Sequence, residues 1–350
     1  MPIDPARLEA TAKLTFADEF DSLSLWDGQT GVWATNWWYN DDAKGPAASP
    51  GATLASNGEL QWYVNANYPA TAELRPWSVK DGVLSLEASR VSDEAAKLIE
   101  DHGFASGMVN SWRSFSQTFG YFEISAKLPA GQGLWPAFWL LPTSGRWPPE
   151  IDVMEFLGHQ PTSYFVSLHS AASGEHEAAS RQVQGVDLTA GFHRYGVNWQ
   201  ADVIGFYFDG AKVAEMPTPT DLKGPMYMIL NLAVGGHWPG PPNAQTPFPA
   251  RFDIDYVRVY QARPKAEPPS EAAGAVSEAL GDATPARLGP WARAGEAAGA
   301  ADAAGGGHAA ASAGLNPSYD LGLERHGAEV RIVGPRVLAP DGFEDWLFAP

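Results

Sequence analysis

The chain has 350 residues, 41 Asp and Glu against 23 Lys and Arg, a net charge of −18 and no cysteine. Its length allows one large or two modest domains with a substantial core, whereas its acidity excludes the clustered cations of a nucleic-acid binder, and the lack of cysteine removes disulfides, zinc–thiolate sites and cysteine nucleophiles. No window approaches the roughly 18 apolar residues of a membrane span, and the first twenty residues carry acids where an export signal needs an apolar run, so neither a membrane partner nor an N-terminal signal is expected.

From about residue 14 to 262 the sequence is rich in Trp, Tyr, Phe, Val and Ile and is broken by turn dipeptides, the texture of an all-β domain. All but two of the 14 tryptophans lie before residue 262. Most belong in a core, although an indole face also stacks well on a sugar ring. Val83-Leu84-Ser85-Leu86-Glu87 predicts a strand, led by Asp81-Gly82, a pair suited to the positive φ of a tight hairpin turn. A short helix is expected over Asp93 to Glu100. In Tyr121 to Leu128, Phe122, Ile124, Ala126 and Leu128 alternate with Tyr121, Glu123, Ser125 and Lys127, the period-2 pattern of a half-buried strand. Phe206-Tyr207-Phe208, followed by an Asp209-Gly210 turn, and Val257-Arg258-Val259-Tyr260 read as further strands. Many strands at short spacing, without recurrent helices, predict an antiparallel sandwich, most naturally a jelly roll.

Beyond Arg263 the composition turns abruptly to Ala, Gly, Pro and Glu, too little apolar surface to offset chain entropy. The expected organisation is therefore a domain over 1–262, a linker over 263–316 and a C-terminal segment over 317–350, the last two forming a disordered extension. The final segment regains apolar residues, among them Val330, Ile332, Trp346 and Phe348, but is too short for its own core.

The chemistry concentrates in Trp147-Pro148-Pro149-Glu150-Ile151-Asp152-Val153-Met154-Glu155-Phe156, three carboxylates within six residues of a β-prone run. On a regular strand Glu150 and Asp152 share a face and Glu155 points to the other; all three face one cleft only if a bulge adds a residue after Asp152. Given that bulge, Glu150 and Glu155 flank a common point at the roughly 5 to 5.5 Å separation of retaining glycosidases, one as nucleophile and the other as acid. Asp152 between them would restrain Glu150 by hydrogen bonding and raise the pKa of Glu155 by repulsion. An exposed acidic strand or a calcium site are the other readings of such a cluster, the latter needing six to eight oxygens. The spacing alone is unspecific, and the flanking residues decide.

Those flanks, Gly133-Leu134-Trp135-Pro136-Ala137-Phe138-Trp139-Leu140-Leu141-Pro142 and then Trp147 to Glu155, resemble glycoside hydrolase family 16. So do Phe16-Ala17-Asp18-Glu19-Phe20, Gly58-Glu59-Leu60-Gln61-Trp62-Tyr63, Phe192-His193-Arg194-Tyr195, Asn231-Leu232-Ala233-Val234-Gly235-Gly236 and Asp255-Tyr256-Val257-Arg258-Val259-Tyr260, in the order of its laminarinase-like branch. The resemblance spans about residues 14 to 262. It implies a concanavalin A-like β-jelly-roll sandwich with the cleft on its concave sheet, and retaining hydrolysis of internal β-linkages. By the same likeness Glu150 is the nucleophile, Glu155 the acid/base and Asp152 the helper. Trp139 and Trp147 line the cleft near the cleaved sugar, His169 sits near the scissile bond, Asn231 and Trp238 contact other sugars, and Arg113 is a further substrate-binding candidate. It also implies a structural calcium bound through two backbone carbonyls and one aspartate at Glu19, Gly82 and Asp255, where only Asp255 offers a charged side-chain ligand, and no cofactor for catalysis.

Compact mixed-linkage enzymes of the family have a four-residue Glu-to-Glu core and a Trp where this chain has Ala233, so the expected substrate is a β-1,3-glucan or a mixed β-1,3/1,4-glucan without strict mixed-linkage specificity. The Pro-Pro-Glu-Ile-Asp-Val stretch is also reminiscent of bacterial members that trim acidic exopolysaccharides such as succinoglycan. A non-catalytic β-glucan-binding protein of the same fold is the reading from another class; such proteins usually lack a catalytic glutamate. The expected protein is a monomer that acts outside the cell, exported through a signal in 317–350, or else a cytoplasmic enzyme.

Overall fold

Turn residues divide the domain into short antiparallel hairpins, as the Asp-Gly pairs predict: Asp81 and Gly82 have φ of 53° and 76°, and Asp209 and Gly210 have 48° and 84°. The computed structural model describes residues 3–37 and 51–264. The expected C-terminal segment, and all but the first two residues of the expected linker, lie outside the described residues.

The first strands are β1 (Ala12–Asp18), β2 (Gly51–Ala52), β3 (Gln61–Val64), β4 (Trp77–Lys80), β5 (Val83–Arg90), β6 (Phe104–Ser106), β7 (Met108–Asn110) and β8 (Gly120–Lys127). They continue with β9 (Leu134–Pro142), β10 (Glu150–Glu155), β11 (Ser163–Ser170), β12 (Glu177–Gln184), β13 (His193–Trp199), β14 (Val203–Phe208), β15 (Ala211–Pro217), β16 (Met226–Val234) and β17 (Ala250–Ala262). One sheet runs β15-β14-β13-β8-β17-β5-β6-β3-β2, with β1 also on β17 and β4 also on β5; the other runs β12-β11-β10-β9-β16-β7. The pairs are antiparallel except β3 with β6. The expected helix is present as Asp93–Ala96 with a 3-10 turn over Lys97–Ile99, capped by Ser92, whose hydroxyl accepts from Ala95 N–H.

The facing sheets bury Phe122, Ile124, Val197, Phe206, Phe252 and Val259 from one side and Phe138, Leu140, Ile151, Val166, Met228 and Leu230 from the other, all fully shielded from solvent. Each such side chain contributes roughly 1.5–3 kcal/mol by leaving water. In β8 the structure departs from the half-buried expectation, because Tyr121, Glu123 and Ser125 on the outer face are buried too. The N-terminal segment covers Tyr121, against which Ile3 and Ala12 pack. Glu123 is satisfied there by the hydroxyls of Tyr121 and Tyr256 at 2.6 and 2.8 Å.

Candidate active site

The open face of the second sheet is set by alternation along its strands. On β9, Leu134, Phe138 and Leu140 point into the core, which turns Trp135, Ala137, Trp139 and Leu141 outward. On β11 the same logic turns Phe165, Ser167 and His169 outward. Strand β10 lies between them and contains the expected bulge: Asp152 pairs with Trp139 and Met154 with Phe138, which leaves Val153 as the additional residue. On the other side Glu150, Asp152 and Glu155 stand opposite His169, Ser167 and Phe165. The three carboxylates therefore occupy successive positions on one face, while Ile151 and Met154 fill the core.

At the Glu150 end, Trp147 Nε1 donates to Glu150 Oε2 at 2.9 Å. His169 Nε2 lies 3.8 Å from Glu150 Oε1 and 3.3 Å from Asp152 Oδ2. The other nitrogen of His169 meets His176 Nε2 at 3.0 Å, and the His176 ring packs 4.7 Å from Trp147. His176, which no local pattern singles out, thus backs both groups that touch Glu150. At the other end Ser167 Oγ makes a long 3.5 Å contact to Glu155, and Trp238, Trp135 and Phe165 form an aromatic wall, with Trp238 5.5 Å from Trp135 and 4.8 Å from Phe165. Trp135 was legible in principle, since it lies four residues before Trp139 on the same strand face.

Burial raises all three carboxyls. Glu155 is pushed up to about 8, chiefly by loss of water and secondly by the charge of Glu150, against the pull of Trp135 and Ser167. The expected repulsion between Asp152 and Glu155 is present, since the charge of each disfavours the charge of the other, and burial and the charge of Glu150 add to it. Glu150 stands well above the ordinary range through burial and the Asp152 charge, with His169 and Trp147 pulling it back, and Asp152 is raised by burial and by Glu155. The three titrate as one unit.

Trp139 is half-buried and donates its indole N–H to Asn231 Oδ1 at 2.7 Å, while Asn231 Nδ2 donates to the Tyr63 hydroxyl at 2.8 Å. Asn231, expected to contact sugar, holds Trp139 from within the protein by one bond accepted and one donated, which leaves a second N–H and a second lone pair of its carboxamide. Trp37 packs edge-on against both Tyr63 and Trp139, and Trp112 against Tyr227, extending the aromatic surface beside the carboxylates. Arg113 is exposed, one residue beyond Trp112.

Glu150, Asp152 and His169 are the one group of three or more His, Asp and Glu residues, among those described, whose donor atoms lie within 4.8 Å of one another. One imidazole and two carboxylates would suit a transition metal, not calcium. The expected calcium residues lie elsewhere. The Glu19 carbonyl faces Gly82, where an added Cβ would sit 3.8 Å from it, and the Glu19 carboxylate is taken by Arg258 at 2.7 Å. Asp255 is exposed at a bulge of β17, between Ile254 and Tyr256. The Glu19 carbonyl beside Gly82 and the exposed Asp255 carboxylate are oxygen donors of the kind a hard cation takes.

A family model described as Glycosyl hydrolases family 16 matches residues 66–258. The endo-1,3-1,4-beta-glycanase EglC of Rhizobium meliloti (strain 1021) is 44% identical over 246 residues, covering 70% of this chain and 51% of its own. The chain thus spans about half the length of that curated relative. Among solved structures, the laminarinase catalytic domain from Thermotoga maritima MSB8 is 30% identical with a TM-score of 0.57, covering 72% of this chain and 99% of that one. The endo-beta-1,3-glucanase from Pyrococcus furiosus is 31% identical with a TM-score of 0.56, covering 73% and 96%.

Proposed function

The chain belongs to glycosyl hydrolase family 16, and from that premise we propose that it is an endo-acting, retaining β-glucanase cleaving internal β-1,3 or mixed β-1,3/1,4 glucosidic bonds. The observation that carries this reading is the Val153 bulge, which brings Glu150, Asp152 and Glu155 onto one face. Glu150, oriented by the Trp147 N–H, attacks the anomeric carbon as its carboxylate while Glu155 gives its proton to the departing glycosidic oxygen. The resulting glycosyl ester on Glu150 is opened by water, whose proton returns to Glu155 and whose oxygen becomes the new anomeric hydroxyl. The raised pKa of Glu155 suits the first step, because the acid holds its proton at neutral pH. Asp152 hydrogen-bonds Glu150 and fixes its rotamer, and His169 steadies the pair from the neighbouring strand.

Trp139, Trp147 and Trp238 supply stacking surface for sugars along the cleft, Arg113 is a further binding residue, and Asn231 serves both by holding Trp139 and by contacting sugar. The names of relatives, endo-1,3-1,4-beta-glycanase and endo-beta-1,3-glucanase, favour glucans over galactans as substrate. A calcium ion held by the Glu19 and Gly82 carbonyls and the Asp255 carboxylate would tie the N-terminal region to β17. The enzyme works as a monomer outside the cell, with residues 317–350 serving export. The deciding experiment is digestion of laminarin, curdlan, lichenan, succinoglycan and agarose with product sizing and an NMR record of the first anomer. Short oligomers of β configuration from laminarin or lichenan are expected; α-anomers first, or binding without release of reducing ends, would overturn the proposal.

A further inference from the structure

The Glu59-Leu60-Gln61-Trp62-Tyr63 run lies outside the catalytic strand, yet its alternate residues share one face and lead to the cleft. Glu59 is 7% exposed. It accepts from Asn57 Nδ2 at 2.9 Å and Gln61 Nε2 at 2.5 Å, and the Tyr63 hydroxyl and the Leu54 backbone N–H draw its pKa down against the effect of burial. The Tyr63 oxygen in turn receives Asn231 Nδ2, and Asn231 Oδ1 receives the indole of Trp139, which pairs with Asp152 in the sheet. Gln61 ties the same run to the end of β16 by accepting from Val234 N–H at 2.7 Å. A carboxylate at this depth is costly, as its rise to about 7 through burial records, and an apolar residue of similar size would occupy the place more cheaply. What an apolar residue cannot do is accept several hydrogen bonds and so fix the direction of the Tyr63 hydroxyl. With that proton turned toward Glu59, the Tyr63 oxygen is left to receive Asn231, whose amide orientation then presents its carbonyl to Trp139.

We infer that Glu59 is a positioning residue for the glucan-binding face: through Tyr63 and Asn231 it fixes the indole of Trp139 beside the catalytic carboxylates. Its effect on turnover rests on the glucanase reading; its effect on Trp139 does not. The test uses the full chain labelled with 15N-tryptophan, the Trp139 indole signal being assigned by its disappearance in Trp139→Phe. Tyr63→Phe removes one hydroxyl at nearly constant volume, and Glu59→Gln replaces an acceptor oxygen with a donor. Both should shift the Trp139 indole resonance and speed its hydrogen exchange while leaving Trp33 and Trp199 unchanged, and lower kcat/KM on laminarin about three- to tenfold, the worth of one hydrogen bond in a network. Added to Trp139→Phe, Tyr63→Phe should cost nothing more, because the relay then has no end. An unmoved Trp139 signal in both variants, or kinetic losses that simply multiply in the double variant, would overturn the inference. If the unaltered protein turns over no glucan, the glucanase reading fails and the spectra still decide this one.

Discussion

Replacing Glu155 by Gln should stabilise the protein as it inactivates it, and the gain should depend on pH in a set direction. Glu155 lies against Trp135 and Phe165 and is raised from an ordinary 4.5 to about 8. A carboxyl raised on folding binds its proton more tightly in the native state, so its contribution to stability is fully present below about 4.5 and is lost as pH rises through about 8. That interval corresponds to about 5 kcal/mol at most, and sharing of protons with Glu150 and Asp152 reduces the expected figure to about 2–3 kcal/mol. Glutamine cannot ionise, so Glu155→Gln should match the parent near pH 4.5 and exceed it by about 2–3 kcal/mol at pH 8.5, or about 5–10 °C in Tm for a domain of this size. Urea titrations at both pH values, supported by scanning calorimetry without substrate, measure the difference. A gap of the same size at both pH values would refute the reasoning, since a packing change has no reason to titrate.

Glu150→Gln should lower kcat by at least about a thousandfold with the circular dichroism spectrum unchanged, and more than about a tenth of the parent's turnover would remove Glu150 as nucleophile. The kcat/KM profile should fall as pH rises through about 8, where Glu155 loses its proton, and Trp135→Phe, which takes away an interaction that lowers that pKa, should move this limb upward; a limb that moves downward contradicts the assignment. Chelation of calcium should lower Tm by a few degrees at unchanged neutral-pH activity, and Asp255→Asn should abolish the difference between chelated and calcium-loaded protein, whereas a chelator effect that survives in the variant places the ion elsewhere. Deleting 317–350 should stop accumulation in the medium of a native host while the purified enzyme keeps its activity; unchanged secretion dismisses the export role.

The bulge was legible because Glu155 lies five positions after Glu150, and a pleated strand has no other way to bring both to one face. The sandwich followed from the turn pairs and from alternation in segments such as Tyr121 to Leu128. Alternation also misled there: Tyr121 and Glu123 read as solvent-facing, and it takes Ile3 and Ala12 of the N-terminal segment with Tyr207 and Tyr260 to bury Tyr121, and the Tyr121 and Tyr256 hydroxyls to meet Glu123. The same limit explains the residues that went unnoticed. His176 and Phe165 join the site through the registers of the consecutive strands β10, β11 and β12, which the alternation within any one strand does not encode. Asn231 was identified, but its partners were not, because a carboxamide's role depends on whether Trp139 and Tyr63 reach it first.

Strand β17 lies between β8 and β5 and also carries β1, pairing Ala12 with Ala262 at the limit of the domain. The last strand among the described residues to leave the ribosome is therefore an inner member of its sheet. Until it arrives, β8 and β5 are two unpaired edges, and contacts spanning about the whole domain must close late, which makes folding slow and all-or-none. Nascent chains cut short at residue 249 should remain protease-sensitive in full, with no stable half-domain, and protection should appear in one step once residue 262 has cleared the exit tunnel.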